Sequence, residues 1–133
     1  MEVYREVVLE VSERQTGKEE LQYAVKNKNI ELYSVIDDIL VTKLYGKLHR
    51  GELEVIVSAQ ELKINFVLLD DLAARKLAKD FSLIPLGTLG ILAQAKEEGL
   101  IERIKPYIDK LIANGFHVSR RLCNKVLSDV GEI

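Results

Sequence analysis

Two adjacent aspartates, Asp70 and Asp71, follow the apolar run Phe66-Val67-Leu68-Leu69. An amphipathic stretch begins directly after them, so the pattern is typical of a buried parallel strand that feeds a helix. In open α/β sheets, ligands bind beyond the carboxyl ends of the strands. Two acids at that place indicate a site for a hard cation, and with it phosphate or phosphodiester chemistry. The alternative is that Asp70 caps the helix, since aspartate is among the best N-cap residues.

Two glutamates, Glu52 and Glu54, begin the stretch 50–59, which is apolar after its first turn. The helix dipole stabilises carboxylates at that end by about 0.3–1 kcal/mol each, which explains Glu52 without any function. Glu54 is flanked by apolar residues, and a partly desolvated carboxylate needs a counter-charge. The two side chains are about 200° apart on a helix, so only one points inward. We assign the inward position to Glu54, where it could share a divalent cation with the aspartates. Glu52 is kept as a candidate for a position just outside the direct ligands of that cation.

A further acid, Glu6, lies among apolar residues of the stretch 2–12, which has helical periodicity. The pattern alone favours a solvated position for Glu6.

Composition excludes other kinds of site. The one cysteine, Cys123, excludes an internal disulfide and argues against a structural zinc site. His49 and His117 have no partners arranged for nucleophilic catalysis, and we expect both at the surface.

The chain has 133 residues and a formal net charge of −2, so one domain is expected, and any nucleic acid would be bound through a local site. No apolar stretch has the length of a membrane helix, and no signal peptide is found at the front. We therefore predict a cytoplasmic protein that does not associate with a membrane.

The elements that must position these acids alternate between strand and helix patterns. This alternation predicts an α/β fold with parallel strands joined by right-handed crossovers. The predicted strands are 30–35, 65–69 and 83–86. The predicted helices are 2–12, 18–26, 37–48, one beginning at residue 50, 72–81, 88–98, 101–113 and 119–130.

Several segments resemble, in this order, the PIN-domain superfamily, and most closely a prokaryotic branch near the VapC-type toxins that carries extra C-terminal helices. They are Glu-Val-Tyr-Arg-Glu-Val-Val (2–8), Gly-Glu-Leu-Glu-Val-Ile (51–56), Val-Leu-Leu-Asp-Asp-Leu-Ala-Ala-Arg (67–75), Gly-Thr-Leu-Gly-Ile-Leu (87–92), Ala-Lys-Glu-Glu-Gly-Leu-Ile (95–101) and Gly-Phe-His-Val-Ser (115–119). The resemblance implies a PIN-like α/β/α sandwich with a short, truncated parallel sheet. It implies a single domain over 1–133, with an α/β core at 1–98 and a C-terminal helical extension at 99–133.

The same resemblance implies a ribonuclease that depends on Mg²⁺ or Mn²⁺ and forms the toxin of a toxin–antitoxin pair. Its expected partners are an RNA substrate and a cognate antitoxin protein. Matched residue by residue, the catalytic and metal-binding acids fall on Glu6, Glu54 and Asp71 or its neighbour Asp70. Three carboxylates with water are sufficient in kind for magnesium.

The sequence departs from the family at its front, where PIN domains begin with a central strand that ends in a metal-binding aspartate. Unpaired apolar strand edges invite pairing with another chain, so we predict a homodimer or larger assembly with impaired catalysis. Two other functions stay open. The chain could be a catalytically inactive PIN protein that acts through protein–protein binding, or an unrelated α/β ligand-binding domain whose acids only cap helices.

Overall fold

The computed structural model describes residues 1–4, 17–44, 46 and 48–133 as helices, strands and the segments between them. The helices are α1 (Glu2–Tyr4), α2 (Lys18–Lys26), α3 (Asp38–Leu44), α4 (Arg50–Leu62), α5 (Leu72–Asp80), α6 (Thr88–Glu97), α7 (Lys105–Ala113) and α8 (Arg120–Asp129). The strands are β1 (Phe66–Leu68) and β2 (Ile84–Leu86). The chain packs as two compact units, a first unit of Met1–Pro85 and a second unit of Leu86–Ile133. The predicted α/β class is confirmed.

The predicted strand at 30–35 is wrong, because residues 31–35 have no regular secondary structure. The segment is fastened instead to the end of α4 by the Glu61 carboxylate. The Tyr33 hydroxyl donates to Glu61 at 2.8 Å, and the backbone N–H groups of Ile36 and Asp37 donate at 2.8 and 2.9 Å. These hydrogen bonds lower the pKa of Glu61, with the two backbone groups as the largest causes. A β-rich local sequence does not become a strand without a neighbour to pair with.

Helix α4 forms the centre of the first unit. Its Leu53 and Val57 pack with Val41 of α3, whereas Ile56 packs with β1 and α5. This two-sided burial explains why the stretch is apolar after its first turn.

Strands β1 and β2 form a two-stranded parallel sheet, and α5 makes the crossover between them. The Ile84 N–H donates to the Asn65 carbonyl at 2.7 Å. Only Val67 of β1 is buried, whereas Phe66 and Leu68 are 62% and 61% exposed. The strand predicted to be buried therefore covers one face and leaves two large apolar side chains in solvent.

The second unit is helical from α6 onward and has its own core of Leu89, Ile104, Ile108 and Leu127. Gly87 is the N-cap of α6. In the described part of the chain, no helix is both long and apolar enough to cross a membrane.

The Glu132 carboxylate fastens the chain end to the start of α7. It accepts hydrogen bonds from the backbone N–H groups of Ile104 at 2.8 Å and Lys105 at 3.2 Å. Lys96 Nζ donates to it at 3.2 Å. Burial raises the pKa of Glu132, but these hydrogen bonds and the charge of Lys96 outweigh burial, so the pKa lies below its ordinary value of 4.5.

This contact predicts a stability that depends on pH. Because the folded pKa of Glu132 is depressed, its contribution is present above the unfolded pKa and is lost as pH falls through the folded pKa. Glu132→Gln should therefore be less stable than wild type at neutral pH, and the difference should shrink as pH falls from about 5 to 3. Denaturant unfolding across this range measures it. Glu97→Gln, at an exposed position of α6, is the control; a constant difference for Glu132→Gln would contradict the prediction.

Candidate functional site

Glu54 lies in the second turn of α4 and is buried, with 8% of the residue exposed. Glu52 points elsewhere, and its carboxylate accepts a hydrogen bond from the His49 backbone N–H at 3.2 Å. The assignment of the inward position to Glu54, made from helix geometry, is confirmed. His49 and His117 are exposed, as expected.

Positive groups surround the Glu54 carboxylate. Arg50 Nε donates to Glu54 Oε2 at 3.1 Å, one helical turn away on α4. The Met1 ammonium lies 3.8 Å from Glu54 Oε1, and the Glu2 backbone N–H donates to the same oxygen at 3.4 Å. The other end of the Arg50 guanidinium, Nη2, contacts Asp38 Oδ1 on α3. The hydrogen bond with Asp38 is the largest cause that raises the pKa of Arg50, which is therefore fully charged at neutral pH.

Two concave surfaces meet at Glu54. A cleft of about 310 Å³ contains Glu54, Arg50 and Asp38. A larger groove of about 490 Å³ contains Glu54 together with Leu68, the last residue of β1. Glu54 therefore shares a groove with all three residues of β1, whereas Asp70 and Asp71 are not among the residues that line it. A separate cleft of about 390 Å³ contains Glu52 and Leu69.

The two aspartates after β1 differ in their contacts. Asp71, not Asp70, is the N-cap of α5, and its Oδ1 accepts a hydrogen bond from the Ala74 N–H at 2.8 Å. Asp70 is exposed and has a polar or electrostatic contact of its own. One of the two acids therefore does cap the helix, but it is Asp71 and not Asp70 as the alternative had it.

A PIN-domain family model matches residues 1–132, almost the whole chain. The chain belongs to the PIN-domain family. No curated protein and no solved structure gives a match. The mixed architecture, with helices around a short parallel sheet, is consistent with the α/β/α sandwich of a PIN domain. Family membership supports a nuclease-like fold that binds nucleic acid.

In donor chemistry, the predicted acids of this PIN domain fit Mg²⁺ or Mn²⁺, because both prefer carboxylate oxygens. The buried Glu54 already pairs with one positive group, the Arg50 guanidinium. Among the described residues, no three His, Cys, Asp or Glu side chains are grouped to hold a metal ion. Glu6 lies outside the described residues, so the assembly of Glu6, Glu54, Asp70 and Asp71 at one metal stays a prediction.

Sequence reasoning missed Arg50, Asp38 as its partner, and Glu61. The spacing of Arg50 and Glu54, four residues apart on one helix, was a usable signal for their ion pair. The contacts of Arg50 with Asp38 and of Glu61 with residues 33–37 join separate elements. No local spacing announces such contacts.

The capping contact of Asp71 allows its structural role to be separated from any role in metal binding. Asp71→Ala should lower the free energy of unfolding by about 1 kcal/mol, because the Ala74 N–H loses its acceptor. Asp71→Ser should restore most of that stability, since serine is also a good N-cap, without restoring a carboxylate. Thermal and denaturant unfolding measure both variants. Equal losses for alanine and serine would contradict the capping role.

Proposed function

We propose that this PIN-domain protein is a ribonuclease that requires Mg²⁺ or Mn²⁺ and is the toxin of a toxin–antitoxin pair. One observation carries the proposal: Glu54, a buried carboxylate, lines the same groove as the carboxyl end of β1. A buried carboxylate needs a partner of opposite charge, and in this structure Arg50 provides it. In the proposal, a cation shared with the acids after β1 takes that place when metal is bound.

In this proposal, Glu54 holds the cation together with Asp70, Asp71 and Glu6. When bound, the ion would polarise the phosphodiester and activate a water molecule. The side chains of this chain hold the ion and keep its ligands in place. Glu54 is fixed by its place on the packed helix α4, and Asp71 is fixed by its hydrogen bond with the Ala74 N–H. Such fixed carboxylates keep their positions when the substrate arrives.

Phosphate contacts come from the basic residues that follow the aspartates. Arg75 and Lys76 lie in the first half of α5, and Lys76 is exposed. Contacts of this kind orient an RNA backbone without reading its sequence, and they weaken as salt rises. Because the chain has a net charge of −2, binding through a few local cations is more consistent with its composition than a broad basic surface.

The metal requirement is tested with a mixed RNA pool and the wild-type chain. Cleavage is expected with Mg²⁺ or Mn²⁺ and is expected to stop in EDTA. Ca²⁺ should support less cleavage, because its larger radius and looser coordination position a water differently. Cleavage that persists in EDTA would contradict the proposal, as would RNA that stays intact with every ion.

A second candidate function is a catalytically inactive PIN protein that acts through protein–protein binding. The exposure of Phe66 and Leu68 on β1, with Ile84 of β2 also half exposed, favours it. Among the described residues, β1 and β2 form a sheet of two strands, and the edges of so short a sheet can offer backbone groups to an added strand. For this candidate we propose a second copy of this chain as the partner, since identical strand edges pair readily across a two-fold axis. A cognate antitoxin would use the same kind of apolar surface.

A further inference from the structure

We infer that Arg50 competes with a divalent cation for Glu54, so that metal binding requires the guanidinium to leave Glu54 while it stays anchored on Asp38. The inference rests on the proposed function, because it concerns regulation of the same site. Neither Arg50 nor Asp38 is among the predicted metal ligands, so the inference gives each of these residues a new role.

Arg50 already occupies one of the two carboxylate oxygens that Glu54 would offer to a metal. Its Nε lies 3.1 Å from Oε2 of the buried Glu54, close to an ordinary charge-assisted hydrogen bond. A carboxylate oxygen engaged in this way has its charge already compensated. A divalent ion that approaches it meets the positive charge of the guanidinium at short range, where repulsion is weakly screened.

Arg50 has a second carboxylate, that of Asp38, with which it can stay paired after it leaves Glu54. Its Nη2 contacts Asp38 on α3, so the guanidinium bridges two carboxylates on different helices. The Arg50 side chain is 39% exposed and that of Asp38 is 63% exposed, whereas that of Glu54 is 10% exposed. Rotation about the side-chain torsions of Arg50 would release Glu54 and keep the contact with Asp38 in the solvated part of the cleft. Asp38 is the first residue of α3, whose start is fixed by Glu61 through the N–H groups of Ile36 and Asp37.

The planar guanidinium suits this role because it can hold two carboxylates at once and does not lose its charge at physiological pH. The charge of Glu54 is therefore compensated without a metal, and a bound metal has to displace Arg50 from it.

Mn²⁺ binding to the full chain, measured by calorimetry and by the electron paramagnetic resonance signal of free Mn²⁺, tests the inference without any activity readout. Arg50→Gln is expected to bind Mn²⁺ about tenfold more tightly than wild type. Arg50→Lys keeps the positive charge but not the forked guanidinium, so its affinity for Mn²⁺ should lie above that of wild type and below that of Arg50→Gln. It is the second test of the inference if Arg50→Gln does not fold. Glu54→Gln, combined with Arg50→Gln, should remove the gain.

Asp38→Asn separates anchoring from simple charge. In the wild-type background it leaves Arg50 with Glu54 as its main acceptor and should weaken Mn²⁺ binding. In the Arg50→Gln background, Asp38→Asn should change Mn²⁺ affinity little, because no guanidinium is left for Asp38 to bind. A double-mutant cycle measures this coupling. Equal effects in both backgrounds would overturn the anchoring role.

The outcomes also separate the inference from the proposed function. If wild type binds Mn²⁺ through Glu54 and neither Arg50→Gln nor Arg50→Lys binds more tightly, the inference is overturned and the ribonuclease proposal stands. If no variant binds Mn²⁺, Glu54 is not a metal ligand, and both the inference and the proposed metal site are overturned.

Discussion

Leu53→Ala is expected to lower the free energy of unfolding by about 2–5 kcal/mol, which is a large share of the stability of an ordinary domain. Leu53 is fully buried and packs with Val41 and Val57 between α3 and α4. Truncation removes apolar contacts and leaves a cavity that the two helices fill only in part. Since Glu54 follows directly on α4, the same change should also loosen the hold of Arg50 on Glu54.

Denaturant unfolding followed by circular dichroism measures the effect. Leu62→Ala is the matched control, because Leu62 is on the same helix and is 45% exposed; it should cost well under half as much. Equal losses for the two variants would mean that the contact between α3 and α4 is not the core of the first unit.

Phe66→Lys is expected to convert a dimer or larger assembly of this chain into monomers. Phe66 is the most exposed residue of β1, which forms a sheet of two strands with β2 among the described residues. A lysine on an edge strand places a charge in any strand-to-strand contact, which is how natural proteins prevent such pairing. The same substitution should leave the folded chain intact, since Phe66 contributes little to the core.

Light scattering coupled to size-exclusion chromatography gives the mass of each form. Ile39→Lys is the control, because Ile39 is also exposed but lies on α3, away from the strand. A wild-type chain that is monomeric at every concentration would contradict the predicted assembly and weaken the protein-binding candidate. A dimer that persists in Phe66→Lys would place the interface elsewhere.

The sequence was most informative where a single element carries its own signal. Helix α4 was predicted because its stretch is apolar after an acidic first turn, and β1 because its apolar run ends sharply at two aspartates. The inward direction of Glu54 followed from the angle between positions 52 and 54 on a helix. Each of these predictions depends only on residues close together in the chain.

Predictions that depend on distant parts of the chain were weaker. The pattern at 30–35 is that of a strand, but Glu61, from the end of α4, holds the segment by its backbone and its Tyr33 hydroxyl. The capping role went to Asp71 instead of Asp70, a shift of one residue that is set by where α5 begins. The bridge from Glu54 through Arg50 to Asp38 depends on how α3 packs on α4, which residue spacing does not encode.

The central claim is that Glu54 belongs to the site of a metal-dependent ribonuclease, and RNA cleavage by Glu54→Gln in Mn²⁺ tests it most directly. Glutamine keeps the size of the side chain but removes the charge, and Glu97→Gln, at an exposed position of α6, is the control. The account predicts that Glu54→Gln cleaves about a hundredfold more slowly than wild type or worse, while Glu97→Gln changes the rate far less. Wild-type cleavage rates in a folded Glu54→Gln chain would contradict it.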